Sequence, residues 1–320
     1  MCWIPEPAPS KWPSPLEDDE DSGYFIYVSP NSMTQVLVNG LYLGAQYALI
    51  ALGLTLIFAL MNVLNFAHGQ MYVLGGFITY AVYAQLGLPF VVALVASGLT
   101  LAVIGALIEK FLFRPVIKRS VRDESTMLLA AAIAFFFDAV ILLAFGEKQR
   151  GVPKILNGVF VSGPLIMPYD RMLVGVIAVA LIAAFMLFMQ YSKPGRAMRA
   201  LAQDRMAAQL MGVNVDRYSM IGFALGAMLA GLVGGLLVSV TGVNSGIGGA
   251  VSIKAFTMVM IGGAGVVGGA IAGGFILGML ESVGLTVLRS YGDVTYLVIF
   301  AGLMVFLSIR PHGLMGKPWG

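Results

Sequence analysis

Between two long apolar runs the chain reads Asn62-Val-Leu-Asn65-Phe-Ala-His68-Gly-Gln70, which places one of its 2 histidines among carboxamides. A carboxamide donates and accepts at once, and a neutral imidazole donates from one nitrogen and accepts at the other. Left without water or a partner, each such group costs on the order of several kcal/mol. Two uses fit the set. The groups can pair with backbone freed at an interrupted helix or with neighbouring helices, or they can line a polar passage.

Asp138 in "AFFFDAVIL" and Glu281 in "ILGMLESVG" are acids inside apolar runs. A carboxylate at the centre of a bilayer costs about 3 kcal/mol on insertion scales, so both are expected to face protein or water. For Asp138 a proton relay, contact with an amine and a structural hydrogen bond all remain open. Lys254, Glu109 and Arg114 are expected to reach an interface by snorkelling. A membrane enzyme is a weaker rival reading, because two distant histidines and the lone Cys2 supply no cluster of nucleophile, base or metal ligands. No phosphate-binding loop occurs. Gly263, Gly265 and Gly268 satisfy the spacing of a dinucleotide fingerprint, but they stand between apolar runs of membrane length, and the match is accidental.

The elements that hold these groups follow from composition. With 59% hydrophobic and 11% charged residues and a mean hydropathy of +0.89, the chain is an integral membrane protein. Its long apolar runs indicate an all-α, polytopic fold rather than a barrel. They lie near Met33 to Leu60, Met71 to Leu86, Phe90 to Phe113, Met127 to Phe145, Met172 to Tyr191, Ser219 to Val240, Ile253 to Leu288 and Thr295 to Ile309. Most suit a single crossing of roughly 20 residues. The run from Ile253 is too long for one, and "GGAGVVGG" (Gly262 to Gly269) divides it into an expected half-helix, a glycine break and a full helix. Half-helix amides exposed by such a break at mid-depth can bind an anion. Gly222, Gly226, Ala230 and Gly234, and then Gly265, Gly269, Gly273, Gly274 and Gly278, read as seams for close helix packing.

Lysines and arginines orient the spans. Lys110, Arg114, Lys118, Arg119 and Arg122 follow the third run, while Lys193, Arg196, Arg199, Arg205 and Arg217 follow the fifth; both groups are expected in the cytoplasm. That puts the acidic, proline-rich segment 1–30, read as a disordered tail, outside. Arg310, His312 and Lys317 suggest a cytoplasmic C-terminus, which requires the divided run to cross twice. Lys148, Arg150 and Lys154 fall in an outside loop and run against the rule. In the longest polar stretch, Met198, Ala202, Met206 and Leu210 are spaced as one apolar stripe on an amphipathic helix from Arg196 to Met211, with Gly212 as its left-handed cap and Asp216 capping the next helix.

"ALGLTLIFALMNVLNFAHGQMYVLGGF", "GRAMRALAQDRMAAQLMGVNVDRY" and "IKAFTMVMIGGAGVVGGAIAGGFILGMLES" together resemble the LivH-type permease subunits of branched-chain amino acid ABC importers, over about Met33 to Leu314. The resemblance implies a permease domain over 31–316 with about eight to nine transmembrane helices, and a short C-terminal tail at 317–320. It implies a bacterial inner-membrane location. The partners it implies are a second, paralogous permease, two cytoplasmic ABC ATPases that bind ATP and Mg, and a periplasmic or extracellular binding protein. No nucleic acid, and no cofactor or metal in this chain, is implied. The segment 192–217 would be the coupling segment, with Arg196, Arg199, Ala202, Asp204, Met206, Leu210 and Gly212 meeting the ATPases. Asn62, Asn65, His68, Gln70, Asp138, Gly262, Gly263 and Gly265 would line the translocation path, the alternative being packing alone. The family often carries Glu at the place of Gln70 and Pro at the place of Gly268. Related permeases serve urea, short amides and aromatic acids. The rival from another class is an ATP-independent carrier or channel, with Asp138 and Glu281 as its ion-coupling acids.

Overall fold

The computed structural model describes residues 30–119, 124–162, 165–287 and 292–316. The expected tails, 1–30 and 317–320, lie outside the described residues save for Pro30, and so do Cys2, Arg122 and Lys317. The first helix, α1 (Pro30–Met61), is followed by α2 (His68–Thr79), which continues through a π turn at Tyr80–Gln85. Next come α3 (Phe90–Ile108), a π turn at Glu109–Phe113, α4 (Arg114–Arg119) and α5 (Glu124–Phe145). A short hairpin, β1 (Val159–Ser162) and β2 (Leu165–Pro168), leads into α6 (Tyr169–Tyr191), α7 (Lys193–Gln203) and α8 (Arg205–Leu210). After α9 (Val215–Leu237), a 3-10 turn at Ser245–Ile247 opens α10 (Gly248–Gly262), and α11 (Val267–Val287) and α12 (Gly292–Ile309) complete the order. Seven of these stretches are long and apolar enough to cross a membrane, and α2 is not one of them.

The core is α1, whose Leu49, Leu52, Leu54, Leu56 and Ile57 are fully buried. It packs antiparallel to α11 and to α9 through positions where one backbone lies on another. A methyl placed on Gly274 would fall on the Ala48 backbone, one on Gly278 on Gly44, and one on Gly226 on the Gly53 carbonyl. The same holds where Gly234 meets the Tyr72 carbonyl and Gly273 the Met258 carbonyl, so both expected glycine seams are packing seams. Lipid gives helices no hydrophobic reason to associate, and close contact supplies dispersion in its place.

Two ends of the bundle are distinct. At one, the hairpin is tied to the start of α1, where the Ile166 N–H donates to Gln35 Oε1 (3.0 Å), and Arg150 pairs with Val243 across two loops. At the other, Lys118 bridges to Asp216 (2.5 Å) and Arg114 donates to the Asp216 carbonyl (2.9 Å). This basic end also holds the turn between α10 and α11. There the Leu314 and Met315 N–H groups donate to the Ile261 and Gly262 carbonyls (2.9 and 3.0 Å), so α12 finishes beside the end of α10. The divided run thus forms an antiparallel pair, with Gly262 against Gly269, and its break falls at the basic end rather than at mid-depth.

Lys254 and Glu109 do not snorkel. Lys254 Nζ lies 2.9 Å from Glu281 Oε1, and the Tyr47 and Tyr296 hydroxyls donate to the same carboxylate at 2.5 and 2.7 Å. One ion pair with two phenols therefore pins α1, α10, α11 and α12. Glu109 is held by Arg114 across the π turn, at 3.1 and 2.5 Å. Desolvation makes a buried pair costly to break and of little net value when whole. Replacing either partner, K254M or E281Q, is expected to destabilise the detergent-solubilised protein by about 3 to 5 kcal/mol, and the double variant by clearly less than the sum. Equilibrium unfolding of the four proteins checks this, and strictly additive losses would show that the two residues act apart.

Candidate functional site

The α1 helix stops because Asn62 adopts a φ of 54°, the left-handed region that its short carboxamide tolerates, while its N–H still donates to the Phe58 carbonyl at 2.8 Å. The chain then turns back into the bundle. His68 Nε2 lies 3.1 Å from the Ile50 carbonyl, about 16 Å up α1 from Met61 at 1.5 Å per residue. A carbonyl only accepts, so the hydrogen sits on Nε2 and Nδ1 is bare. Asn65 supports the re-entry: its Oδ1 accepts the Ala67 N–H and its carbonyl the His68 N–H, both at 3.2 Å. Ser252 of α10 completes it, accepting the Gly69 N–H and donating to the Phe66 carbonyl, both at 3.0 Å. The helix expected from Met71 therefore begins earlier, at His68, deep inside the protein.

Beyond these bonds stands Gln70, 7% exposed, whose Nε2 makes a long 3.4 Å contact with Asp138 Oδ1. Its Oε1 has no partner and lies over Gly248, the first residue of α10. Asn65 Nδ2 and His68 Nδ1 also lack partners among the described residues. Asp138 is half-buried on α5 and has no ion-pair partner among the described residues. Asn65, His68, Gln70 and Asp138 thus belong to one region, where α2 starts beside the start of α10. Asn62 and Gly265 do not join them. With Met189, Arg199 and Ala202 they line a separate cavity of about 570 Å³ at the basic end. Gly262 and Gly263 pack on Gly269 and on the C-terminal turn at Gly316.

The basic end corrects the expected amphipathic helix. Its path breaks at Asp204, which leaves α7 and caps α8 by accepting the Ala207 N–H at 2.9 Å. The stripe is accordingly split. Met198 is fully buried in α7, whereas Met206 (75%), Leu210 (83%) and Met211 (85%) project from α8. Gly212 is left-handed as expected, with φ 85°. The cap of α9 is Asn214, which accepts the Arg217 N–H at 2.9 Å; Asp216 is taken by Lys118 instead. Arg199 folds back onto the Gln190 carbonyl (3.1 Å).

Ser252 and the Lys254–Glu281 pair were not singled out as partners from sequence. The signal for the pair was present, because a hairpin at the glycine break must bring the two flanks of the run together. For Ser252 there was none, since a serine in a helix most often bonds its own backbone.

The family described as "Branched-chain amino acid transport system / permease component" matches residues 36–308. BraD of Pseudomonas aeruginosa, a high-affinity branched-chain amino acid transport system permease protein, is 34% identical over 299 residues, 89% of this chain and 96% of that protein. LivH of Escherichia coli K12, which bears the same description, is 33% identical over the same shares. A solved structure, PsaBC from Streptococcus pneumoniae in complex with Fab, aligns with 85% of this chain and 91% of its own at a TM-score of 0.47 and 17% identity, too distant to support an argument.

The re-entry can be tested without any solute. In S252A the Gly69 N–H and the Phe66 carbonyl lose their shared partner, and the expected loss is about 1 to 3 kcal/mol of stability. Thermal unfolding in detergent measures it; S252T, which keeps the hydroxyl, is expected to recover part of the loss, and an unchanged S252A would remove Ser252 from the support of α2.

Proposed function

Because the chain belongs to the permease components of branched-chain amino acid transport systems, we propose that it forms, with a second permease, the membrane path of an ATP-driven importer for branched-chain or other hydrophobic amino acids. The protein is an ABC importer permease subunit of the bilayer, not an ATPase, and energy enters from partner subunits that bind ATP and Mg. The observation that carries this reading is the match over nearly the whole membrane domain, at one-third identity to permeases of that single solute class.

The basic end is assigned to the cytoplasm by its concentration of Lys118, Arg119, Lys193, Arg196, Arg199, Arg205 and Arg217. In a bacterial cell membrane this leaves the hairpin end, with Gln35 and Ile166, to meet the soluble binding protein. The start of α1 then lies outside and the C-terminus inside. The coupling element on this reading is α8 with its flanking turn, not a single helix from Arg196 to Met211. Its exposed Met206, Leu210 and Met211 offer an apolar tip, while Met198 anchors α7 in the bundle. Flexible apolar side chains of this kind suit insertion into a groove on another protein. Closure of the ATPases on nucleotide would shift the equilibrium between outward and inward access through that tip.

Charging the tip is expected to release the ATPases. Carried by M206D/L210D, the change buries two carboxylates in any apolar groove and should weaken retention of the ATPases by more than about tenfold. Affinity purification of the complex from membranes reads the ratio of subunits. Full retention by the variant would take the contact away from α8.

A further inference from the structure

We propose that Asp138, Gln70 and the first turn of the helix Ser245–Gly262 form a transit site for a zwitterionic amino acid, with the ammonium on Asp138 and the carboxylate on the amides of that turn. The inference rests on the permease reading and says which solutes the path accepts.

Asp138 lies in a span of mean hydropathy 2.6, and no cation pairs with it among the described residues. At 1.5 Å per residue it is about 10 Å from the Phe145 end of α5 and about 21 Å from the Glu124 end. An unpaired carboxylate at such depth marks a place where a cation is expected to come and go. Among the described residues the side chain that hydrogen-bonds to it is Gln70, through the long 3.4 Å contact, which leaves most of its acceptor capacity free.

The other half is the start of α10. Asn244 precedes the 3-10 turn in extended conformation without capping it, and Ile247, at the junction with α10, caps nothing either. The first turn therefore presents backbone amides and the positive end of the helix dipole without a side-chain acceptor. An independent mark is the buried Gln70 carboxamide, 7% exposed, which lies over Gly248 with its Oε1 unpartnered among the described residues. Gln70 thus reaches from Asp138 to the head of α10.

Space for the solute is also present. Gly246 and Gly249 are exposed; among the described residues no atom comes within 4 Å of a methyl built on Gly249, and Asn244 Oδ1, at 3.8 Å, is the one that approaches a methyl on Gly246. Glycine inside a helix costs about 1 kcal/mol against alanine, and packing within the chain gives no return for it here. One turn on, the same face presents Ile253, 55% exposed, as the apolar surface for an aliphatic side chain. Urea, which has no charge, and an aromatic acid without an amine satisfy at most one half of this arrangement.

The test is uptake of labelled leucine by the complete transporter, with both permeases, both ATPases and saturating binding protein, in proteoliposomes. D138N is expected to slow uptake by at least about tenfold, as the loss of a charged hydrogen bond does, while D138E stays within about threefold of wild type. G249L, whose Cβ meets no atom of the described residues, is expected to block uptake with the subunits in normal ratio. Wild-type rates in D138N or G249L overturn the site. So does loss of the second permease from either purified variant, which would make this face an interface between permeases. If the wild-type complex retains its ATPases and imports no amino acid at all, the solute assignment above fails instead, and this site with it.

Discussion

Helices in lipid gain nothing by hiding leucine from leucine, so this bundle depends on backbones that touch. Gly44 and Gly278, Ala48 and Gly274, and Gly53 and Gly226 leave no room for one more methyl between α1 and its neighbours α11 and α9. Each contact sums many weak dispersion terms over a rigid surface, and none can be relaxed by a rotamer change. The seams therefore fix depth and register as well as proximity. Everything placed on α1, α9 and α11 inherits that register, which is why Tyr47 meets Glu281 and Ile50 is level with His68.

A rigid centre permits an interrupted one. Segment 63–66 leads the backbone back into the bundle outside any regular helix, an arrangement tolerated only where the freed groups find partners in protein. Asn65 accepts the Ala67 N–H and Ser252 of α10 donates to the Phe66 carbonyl, while the His68 side chain ties the start of α2 to Ile50 of α1. The set is not complete, since Asn65 Nδ2, His68 Nδ1 and Gln70 Oε1 have no partner among the described residues. Gln70, beside Asp138, differs in this from the Lys254–Glu281 cluster, where both oxygens of the carboxylate are occupied.

Much of this was legible from residue order, and for identifiable reasons. The spans follow from hydropathy, the divided run from Gly262 to Gly269, and the seams from small residues at fourfold spacing, all of which are local signals. The family, too, was legible, because its motifs are contiguous. What escaped were pairings between distant segments. Asn62 and His68 were visible as an anomaly, but not that the chain re-enters between them, because that depends on Ile50 and Ser252 lying opposite. Lys254 was assigned to an interface because snorkelling is the default for a lone lysine; Glu281, 27 residues on, reaches it only through the hairpin. The apolar spacing of the coupling segment is helical throughout, and so predicts one helix. Asp204 prevailed because its side chain competes for the Ala207 N–H and restarts the chain as α8.

The position of the re-entrant segment also bears on how the two ends communicate. Leu60, near the foot of α1, lies over Gly222 of α9, where Met198 of α7 also packs, while Gly195 sits directly on Phe188 and Met189 of α6. A displacement of α7 would reach the end of α1 through the side chains of Met198 and Leu60 over Gly222. From there the covalent route is short: Asn62, the loop, Asn65, His68 and Gln70. The loop is held by single hydrogen bonds rather than by a seam, so it is the part of that route with the least to lose in a second arrangement. On the proposed reading, a push at the cytoplasmic tip would be felt at Gln70 before it is felt at the glycine seams. Coupling of this kind requires an element with two states, and segment 63–66 is where the bonding of this fold allows one.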